Sequence, residues 1–177
     1  DPGATCPLFQ QYLDRVLPDK QTHDVLAEFF GWPFLPGLKL EKMLLLHGGG
    51  HNGKSVTFDV INALFGDENI SNLSLKSLGK MENRFRLGNS LLNFSTEITA
   101  ECDSDVFKKL VSCEPIEARR LYHDTFEMRN YARLAFSTNV MPASLDQTDG
   151  FYRRFLIIPF EQRITEEEKD VDLARKI

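Results

Sequence analysis

The stretch HGGGHNGKS, residues 47–55, decides the fold of this chain. The apolar run MLLL at positions 43–46 precedes it and is typical of a buried β-strand. In the segment 56–65 that follows, apolar residues recur at the spacing of an amphipathic helix. These apolar residues are Val56, Val60, Ile61, Leu64 and Phe65. The sequence therefore predicts a strand, a glycine-rich loop and a helix in direct succession.

The loop fits the pattern G-x-x-x-x-G-K-S, which cradles phosphate groups when it joins a strand to a helix. Glycines let several backbone N–H groups point at one anion, and the helix adds the positive end of its dipole. Lys54 would reach the β- and γ-phosphates of a nucleotide, and the Ser55 hydroxyl would coordinate Mg²⁺. The alternative is a glycine-rich turn without a ligand. The predicted nucleotide-binding residues are Gly48, Gly49, Gly50, His51, Asn52, Gly53, Lys54 and Ser55.

The composition is that of a globular protein with one main domain. Hydrophobic residues make up 42% of the 177 residues, and the net charge of −5 argues against a protein that coats duplex DNA. The cysteines form no C-x-x-C pair, which argues against a zinc site and favours a reducing cytoplasm. No signal peptide and no apolar run of about 20 residues is present, so we expect no membrane contact. Because the chain starts on Asp1 and stops in a charged segment, we expect it to be part of a longer protein.

Apolar strands alternate with helices along the rest of the chain. Helical spacing is found in the segments 5–35 (with a second helix starting near Thr22 or Asp24), 78–86, 105–111 and 165–177. Strands are predicted at 69–77 (a short strand and turn), 90–97, 132–139 and 155–160, and a hairpin at 117–129. This alternation predicts an α/β layer structure with a mainly parallel sheet. The predicted parts are a helical lead-in at 1–37, the core at 38–165 and the start of a further helical segment at 166–177.

Two of the predicted strands end on polar side chains that suit phosphate chemistry, Glu97 and Asn139. Ligands gather at the carboxyl ends of parallel strands, so we expect both side chains close to the glycine-rich loop. The Glu97 carboxylate would hold Mg²⁺ together with Ser55 and position the attacking water. The Asn139 amide would hydrogen-bond the γ-phosphate or that water and so report hydrolysis. Its alternative is a turn asparagine, since Met141-Pro142 follows.

Two basic segments are candidates for further contacts. Arg153-Arg154 precedes the last strand, and a permanently charged guanidinium from a neighbouring subunit suits the charge that develops in phosphoryl transfer. A basic pair that covers the sheet edge is the alternative. In the hairpin, Arg120, Tyr122 and His123 could grip the phosphates and stack on the bases of a single DNA strand. A solvated hairpin is the alternative there, because two acidic residues dilute the charge.

With these segments in this order, the chain resembles the superfamily-three helicases, a branch of the AAA+ ATPases. The similarity is greatest to the helicase part of phage- and plasmid-type primase–helicases, which are related to the poxvirus primase–helicase. Five segments carry the resemblance: GGGHNGKS (48–55), LLNFSTE (91–97), KKLVSCEPIEARRLYHDTFEMR (108–129), LAFSTNVMP (134–142) and GFYRRFLIIPF (150–160). Together with the helical lead-in, the resemblance covers nearly all of the chain, which contains no primase domain.

The resemblance implies a P-loop NTPase with an AAA+-like three-layer fold, preceded by a small helical segment. It further implies an ATP-dependent DNA helicase motor of DNA replication, a hexameric ring with ATP and Mg²⁺ at the subunit interfaces. One subunit would supply Lys54, Ser55, Glu97 and Asn139, and the next would supply Arg154. Tyr122-His123 would contact single-stranded or forked DNA in the central channel. Where family members usually carry Gly-Asp, this chain has Cys113-Glu114, which keeps an acid but loses the backbone freedom of glycine.

Other classes of function stay open at this point. A monomeric P-loop phosphotransferase would need an arginine-rich lid and a substrate pocket, and the sequence shows no such segment. A GTPase would need an N-K-x-D motif, which the chain does not contain. An origin-binding or assembly protein would use ATP only to order a complex. Phosphate release measured separately from ATP binding distinguishes this last class from a motor.

Overall fold

The computed structural model of the chain describes residues 3–96, 98, 103–140 and 149–177. Its helices are α1 (Pro7–Val16), α2 (Lys20–Gly31), α3 (Lys54–Phe65), α4 (Leu75–Leu78), α5 (Met81–Arg84), α6 (Ser104–Val111), α7 (Asp149–Tyr152) and α8 (Leu173–Lys176), with 3₁₀ turns at Trp32–Phe34 and Phe85–Asn89. Its strands are β1 (Met43–His47), β2 (Ile70–Ser71), β3 (Leu92–Ser95), β4 (Pro115–Arg119), β5 (Thr125–Arg129), β6 (Arg133–Thr138) and β7 (Phe155–Pro159). Within the described residues, no helix is long and apolar enough to cross a bilayer.

Five of the strands form one parallel sheet in the order β2-β3-β6-β1-β7. Strand β1 lies between β6 and β7, with Leu44 opposite both Ala135 and Leu156. Strands β4 and β5 form a separate antiparallel hairpin, in which Ala118 lies opposite Phe126. The predictions of an α/β architecture with a mainly parallel sheet, and of a hairpin near 117–129, are confirmed.

Apolar side chains cover both faces of the sheet, because successive residues of a strand point to opposite faces. Leu44 and Leu46 belong to a first core, which includes residues of α1, α2 and α3. Met43 and Leu45 belong to a second core, which includes residues of α4, α6 and the hairpin. All four side chains are fully buried, and each contributes about 1.5–3 kcal/mol through removal from water. The chain therefore forms three layers, with the sheet in the middle.

The helical lead-in packs directly on the first core. Helix α2 begins at Lys20, earlier than the predicted Thr22 or Asp24, because the Asp19 carboxylate caps it by accepting from the backbone N–H of Gln21. The buried aromatic residues of this segment include Phe29, Phe30 and Trp32, so they serve packing. The segment is helical as predicted, and its separation from the core as a unit stays a prediction.

Two predictions of local structure were wrong. A short strand and turn were expected at 69–77 and one helix at 78–86, but this part of the chain is divided into β2, α4, α5 and a 3₁₀ turn. The tail 165–177 was expected to be one charged helix, but only Leu173–Lys176 is helical. Tertiary bonds hold the tail instead: the Glu168 carboxylate accepts two hydrogen bonds from the Arg15 guanidinium, at 2.8 and 2.9 Å.

Candidate functional site

The glycine-rich loop connects β1 to α3, and close contacts explain two of its glycines. At Gly48, a Cβ atom would lie 2.1 Å from the carbonyl oxygen of Phe160, so no larger residue fits. Gly53, which precedes α3, has a φ of +89°, and a Cβ there would lie 2.8 Å from Val16 of α1. The backbone of the loop is therefore fixed by packing against both α1 and the end of β7.

Lys54 is the first residue of α3, and its ammonium turns back into the loop. Nζ donates to the carbonyl oxygens of Gly48 (2.6 Å) and Gly49 (3.0 Å) and to Oδ1 of Asn52 (2.9 Å). The side chain is buried, with a residue exposure of 7%, and this desolvation lowers the pKa of Lys54 below its ordinary value. The chain thus holds a cation in the loop by uncharged oxygen atoms, an arrangement that an anionic ligand would complete.

A cavity of about 570 Å³ opens over the loop and the ends of two strands. The cavity is lined by Gly50, His51, Asn52, Gly53, Lys54, Ser55, Thr96, Ile98, Ser137, Thr138 and Asn139. Asn139 is exposed at the end of β6, and the loop and this asparagine therefore meet at one edge of the sheet. Glu97 lies outside the described residues, although Thr96 and Ile98 both line the cavity. The proposed roles of Glu97 and Asn139 stay predictions.

A second cavity of about 430 Å³ adjoins the first and shares His51, Gly53 and Ser55 with it. Its walls come from α1, α3 and the tail, and include Val16, Val56 and other apolar residues beside charged ones. The tail contacts the loop here, since the Ile164 N–H donates to the carbonyl of His51 at 2.7 Å. Sequence reasoning missed this cavity, because α1 and the tail come together only in the folded chain.

Tyr12 is a residue of the site that the sequence did not reveal. Its hydroxyl on α1 donates to the Gly53 carbonyl at 2.7 Å and is 2.6 Å from the Thr57 hydroxyl. Burial raises the pKa of Tyr12 to about 12. Because Gly53 precedes α3, this bond connects the lead-in helix with the loop. The only signal in the sequence was the apolar spacing of α1, which does not single out Tyr12.

The structure places the two candidate arginines differently. Arg154 is buried, and its guanidinium donates to the Ser112 hydroxyl (Nη2 to Oγ, 3.1 Å) and to the Gly150 carbonyl. It also lies 3.7 Å from the Glu41 carboxylate. The side chain of Arg153 is 66% exposed. Nη2 of Arg153 lies 3.9 Å from the Glu41 carboxylate, but most of the side chain is accessible to a neighbouring chain, whereas Arg154 is enclosed by its own chain.

The hairpin tip carries the residues proposed to contact DNA. Arg120, Tyr122 and His123 are all exposed, and Tyr122 has 96% of its surface accessible and a φ of +63°. The base of the hairpin is fixed to the body, since Arg84 Nη1 donates to the Glu117 carbonyl at 2.9 Å. The hairpin therefore presents an aromatic and two basic side chains to solvent, and their contact with DNA stays a prediction.

The departure at Cys113-Glu114 has a direct structural counterpart. Cys113 follows α6 with a φ of +54°, the left-handed conformation that glycine adopts without strain. Its sulfur lies 3.2 Å from Nη1 of Arg133, a buried residue whose guanidinium stacks 4.1 Å from the centre of the Trp32 ring. Cys113 therefore adopts a left-handed backbone conformation at this turn although it is not glycine.

The predicted metal site combines the Ser55 hydroxyl with the Glu97 carboxylate. Ser55 is exposed in the cavity, so its hydroxyl is available to a cation held by phosphate groups. Across the described ranges, with gaps at 97, 99–102 and 141–148, no group of three or more His, Cys, Asp or Glu is placed to hold a metal ion. Glu97 lies outside the described residues, so the metal site at Ser55 and Glu97 stays a prediction.

These features define an α/β protein with a glycine-rich loop at the carboxyl edge of a parallel sheet. Residues 46–154 match the model of a family of unknown function (DUF5906), and the chain belongs to this family.

Solved structures of the NrS-1 C terminal region share the fold. One, in its A form without ligand, has a TM-score of 0.77 at 18% identity over 98% of this chain and 42% of that one. Another, of residues 305-718, has a TM-score of 0.77 at 16% identity over 98% of this chain and 43% of that one. The chain thus spans less than half the length of these structures, and at such identities the likeness supports the fold alone.

Proposed function

We propose that this chain is an ATPase domain of the P-loop, AAA+-like class, and that it serves as the motor of a DNA helicase in replication. The observation that carries the proposal is the buried Lys54 ammonium, which lies in a cavity together with the glycine-rich loop and Asn139. A desolvated cation beside backbone N–H groups at a helix N-terminus attracts phosphate strongly.

Each residue of the site has a distinct part in this proposal. The loop amides and Lys54 bind the β- and γ-phosphates, and the Ser55 hydroxyl coordinates the Mg²⁺ that accompanies ATP. Bound Mg²⁺ neutralises charge on the phosphates and so favours displacement at the γ-phosphorus. Glu97 would position the attacking water and hold the metal, and Asn139 would hydrogen-bond the γ-phosphate. The second cavity, which shares three residues with the first, is the place for the nucleoside.

The helicase part of the proposal depends on other surfaces. The exposed hairpin tip suits stacking on the bases of single-stranded or forked DNA, because aromatic and cationic side chains are combined there. Exposed Arg153 is better placed than buried Arg154 to reach the nucleotide of a neighbouring subunit. Such a contact requires a homo-oligomer, which we propose to be a hexamer formed by the longer protein.

The test of the nucleotide site compares Lys54→Ala with Lys39→Ala, an exposed lysine that lines neither cavity. Binding of Mg²⁺–ATP is measured by calorimetry, and phosphate release is followed with and without single-stranded DNA over a range of protein concentrations. We expect Lys54→Ala to lose binding by at least about tenfold, since hydrogen bonds to charged groups contribute about 1.5–3 kcal/mol. Lys39→Ala should bind as the wild type does. Equal binding of Mg²⁺–ATP by the two variants would show that the glycine-rich loop is not the nucleotide site.

The burial of Arg154 favours one alternative, an assembly protein that binds ATP without turnover. In that case no guanidinium from a neighbour completes the site, and ATP only orders a complex. Wild-type protein that binds ATP but releases no phosphate at any concentration, with or without DNA, would favour this alternative. Turnover that rises steeply with protein concentration, and is lost in Arg153→Ala, would favour the motor.

A further inference from the structure

Asn52 occupies a special position between the loop lysine and the end of the sheet. A lysine ammonium has three N–H groups, and those of Lys54 face the carbonyls of Gly48 and Gly49 and the Oδ1 atom of Asn52. Two of these acceptors belong to the main chain of the loop. The third is on a side chain that rotates about two single bonds. The Asn52 amide oxygen is therefore the acceptor that is displaced most easily from the Lys54 ammonium when an anion approaches.

The other end of the same amide holds the last strand. Nδ2 of Asn52 donates to the carbonyl of Phe160 at 2.9 Å, and Asn52 is buried with 5% exposure. This bridge passes directly over Gly48, where a Cβ atom would lie 2.4 Å from Nδ2 and 2.1 Å from the Phe160 oxygen. Glycine at position 48 thus leaves room for the bridge. Two backbone hydrogen bonds hold the segment after β7: the Phe160 N–H donates to the His47 carbonyl at 2.6 Å, and the Ile164 N–H donates to the His51 carbonyl at 2.7 Å. The Asn52 bridge adds a side-chain hydrogen bond to these.

We propose that Asn52 is a positioning residue that couples nucleotide binding to the segment after β7. A γ-phosphate oxygen takes the place of Oδ1 at the Lys54 ammonium, the amide turns away, and its bond to the Phe160 carbonyl breaks. The end of β7 and the chain beyond it are then less firmly attached to the loop. This inference rests on the proposed function, because it needs a triphosphate at Lys54.

Two substitutions separate this role from simple support of the fold. In Asn52→Asp, a carboxylate holds the Lys54 ammonium more strongly and competes with phosphate, so the ATP analogue AMPPNP should bind about tenfold more weakly. In Asn52→Ala, phosphate displaces no protein acceptor, so AMPPNP should bind about threefold to tenfold more tightly. Both variants lose the bond to Phe160. If Asn52 only supported the fold, both substitutions would weaken binding.

The coupling itself is measured by hydrogen exchange of the backbone amides in peptides that cover residues 158–170. In the wild type, Mg²⁺–AMPPNP should increase exchange at Ile164 several-fold, because release of the bridge loosens the segment after β7. The Phe160 amide should stay protected, since its N–H donates to the His47 carbonyl. In Asn52→Ala the Ile164 amide should exchange fast already without nucleotide and change no further on binding. Asn62→Ala is the matched control on α3. The Asn62 side-chain amide donates to the Phe58 carbonyl at 2.6 Å, and Asn62 lines neither cavity. It should behave as the wild type does in both measurements.

The possible outcomes distinguish the inference from the proposed function. Wild-type protein that does not bind Mg²⁺–AMPPNP in calorimetry would overturn both. Wild-type protein that binds it, while exchange at 158–170 stays the same or slows, would overturn the coupling and leave the nucleotide site intact. Weaker binding of AMPPNP by both Asn52→Asp and Asn52→Ala would also overturn the coupling. Should Asn52→Ala fail to fold by circular dichroism, the isosteric Asn52→Asp decides, through weaker binding combined with fast exchange at 158–170 before nucleotide is added.

Discussion

The contact between the lead-in helix and the loop makes a quantitative prediction for Tyr12→Phe. The substitution keeps the ring in the first core but removes the hydroxyl that contacts Gly53 (2.7 Å) and Thr57 (2.6 Å). Two buried hydrogen bonds are lost, which should lower the free energy of unfolding by about 1–2 kcal/mol at pH 7. For a chain of this size, that corresponds to a fall of roughly 2–8 °C in the melting temperature.

The pH dependence of the same variant tests the burial of the hydroxyl. The pKa of Tyr12 is about 12 in the folded protein against 10.0 for the free side chain. Because the unfolded chain loses this proton first, wild-type stability should fall as the pH rises from about 10 to about 12, by about 2–3 kcal/mol. Tyr12→Phe has no such proton. The wild type's advantage of about 1–2 kcal/mol should therefore vanish within this range of pH and reverse by about pH 12.

Tyr131→Phe is the control for the role of Tyr12 in the site. Its hydroxyl donates to the Pro33 carbonyl at 2.8 Å, and Tyr131 lines neither of the two cavities. Both variants should lose stability in urea unfolding at pH 7, but only Tyr12→Phe should also bind Mg²⁺–AMPPNP more weakly, by about threefold to tenfold. Equal effects of the two variants on binding, or a stability difference that persists unchanged to pH 12, would refute the reasoning.

Three further predictions concern the tail, the turn after α6 and the arginine pair. The hydrogen bonds from Arg15 lower the pKa of Glu168 to about 2, so its contribution to stability should be complete above pH 4.5 and disappear as the pH falls to about 2. Circular dichroism during acid titration should show that Glu168→Gln lacks this dependence, and parallel curves would contradict it. Cys113→Gly should raise the melting temperature by roughly 2–4 °C, since relief of the strain in the left-handed backbone contributes about 1 kcal/mol. A lower melting temperature would mean that the lost contact between the Cys113 thiol and Arg133 outweighs this strain. Arg154→Ala should lower the free energy of unfolding by about 2–3 kcal/mol, because it leaves buried acceptors unpaired. Arg153→Ala should not, because that side chain is exposed. Equal losses of stability in urea unfolding would contradict the burial of Arg154.

The sequence was informative where local pattern and tertiary environment agree. The apolar run before the loop and the helical spacing after it predicted β1 and α3, and the structure has both at those positions. Asn139 could be expected beside the loop, because the carboxyl ends of parallel strands share one edge of a sheet. The hairpin followed from alternation of polar and apolar residues between 117 and 129.

The remainder depended on contacts between distant parts of the chain. Tyr12 belongs to the site because α1 packs against the loop, a contact that no spacing within α1 indicates. Arg154 was the preferred candidate for contact with a neighbouring subunit, yet Ser112 and Glu41, far away in sequence, hold it inside. The tail looked helical by composition, but it is bonded to Arg15 and to the loop, and before Leu173 it consists of turns and irregular structure. In each case a long-range contact outweighed the local preference.

The position of β1 inside the sheet has a consequence for biosynthesis. Leu44 pairs with Ala135 and Leu156, so β1 acquires its first neighbour only after the ribosome has passed residue 135. Until then the run from Met43 to Leu46 is an unpaired apolar segment of a nascent chain, which is the kind of segment that chaperones bind and that aggregates when they are absent. Such late pairing also slows folding. A chaperone supplied during expression should therefore increase the yield of folded protein more than a lower temperature after synthesis does.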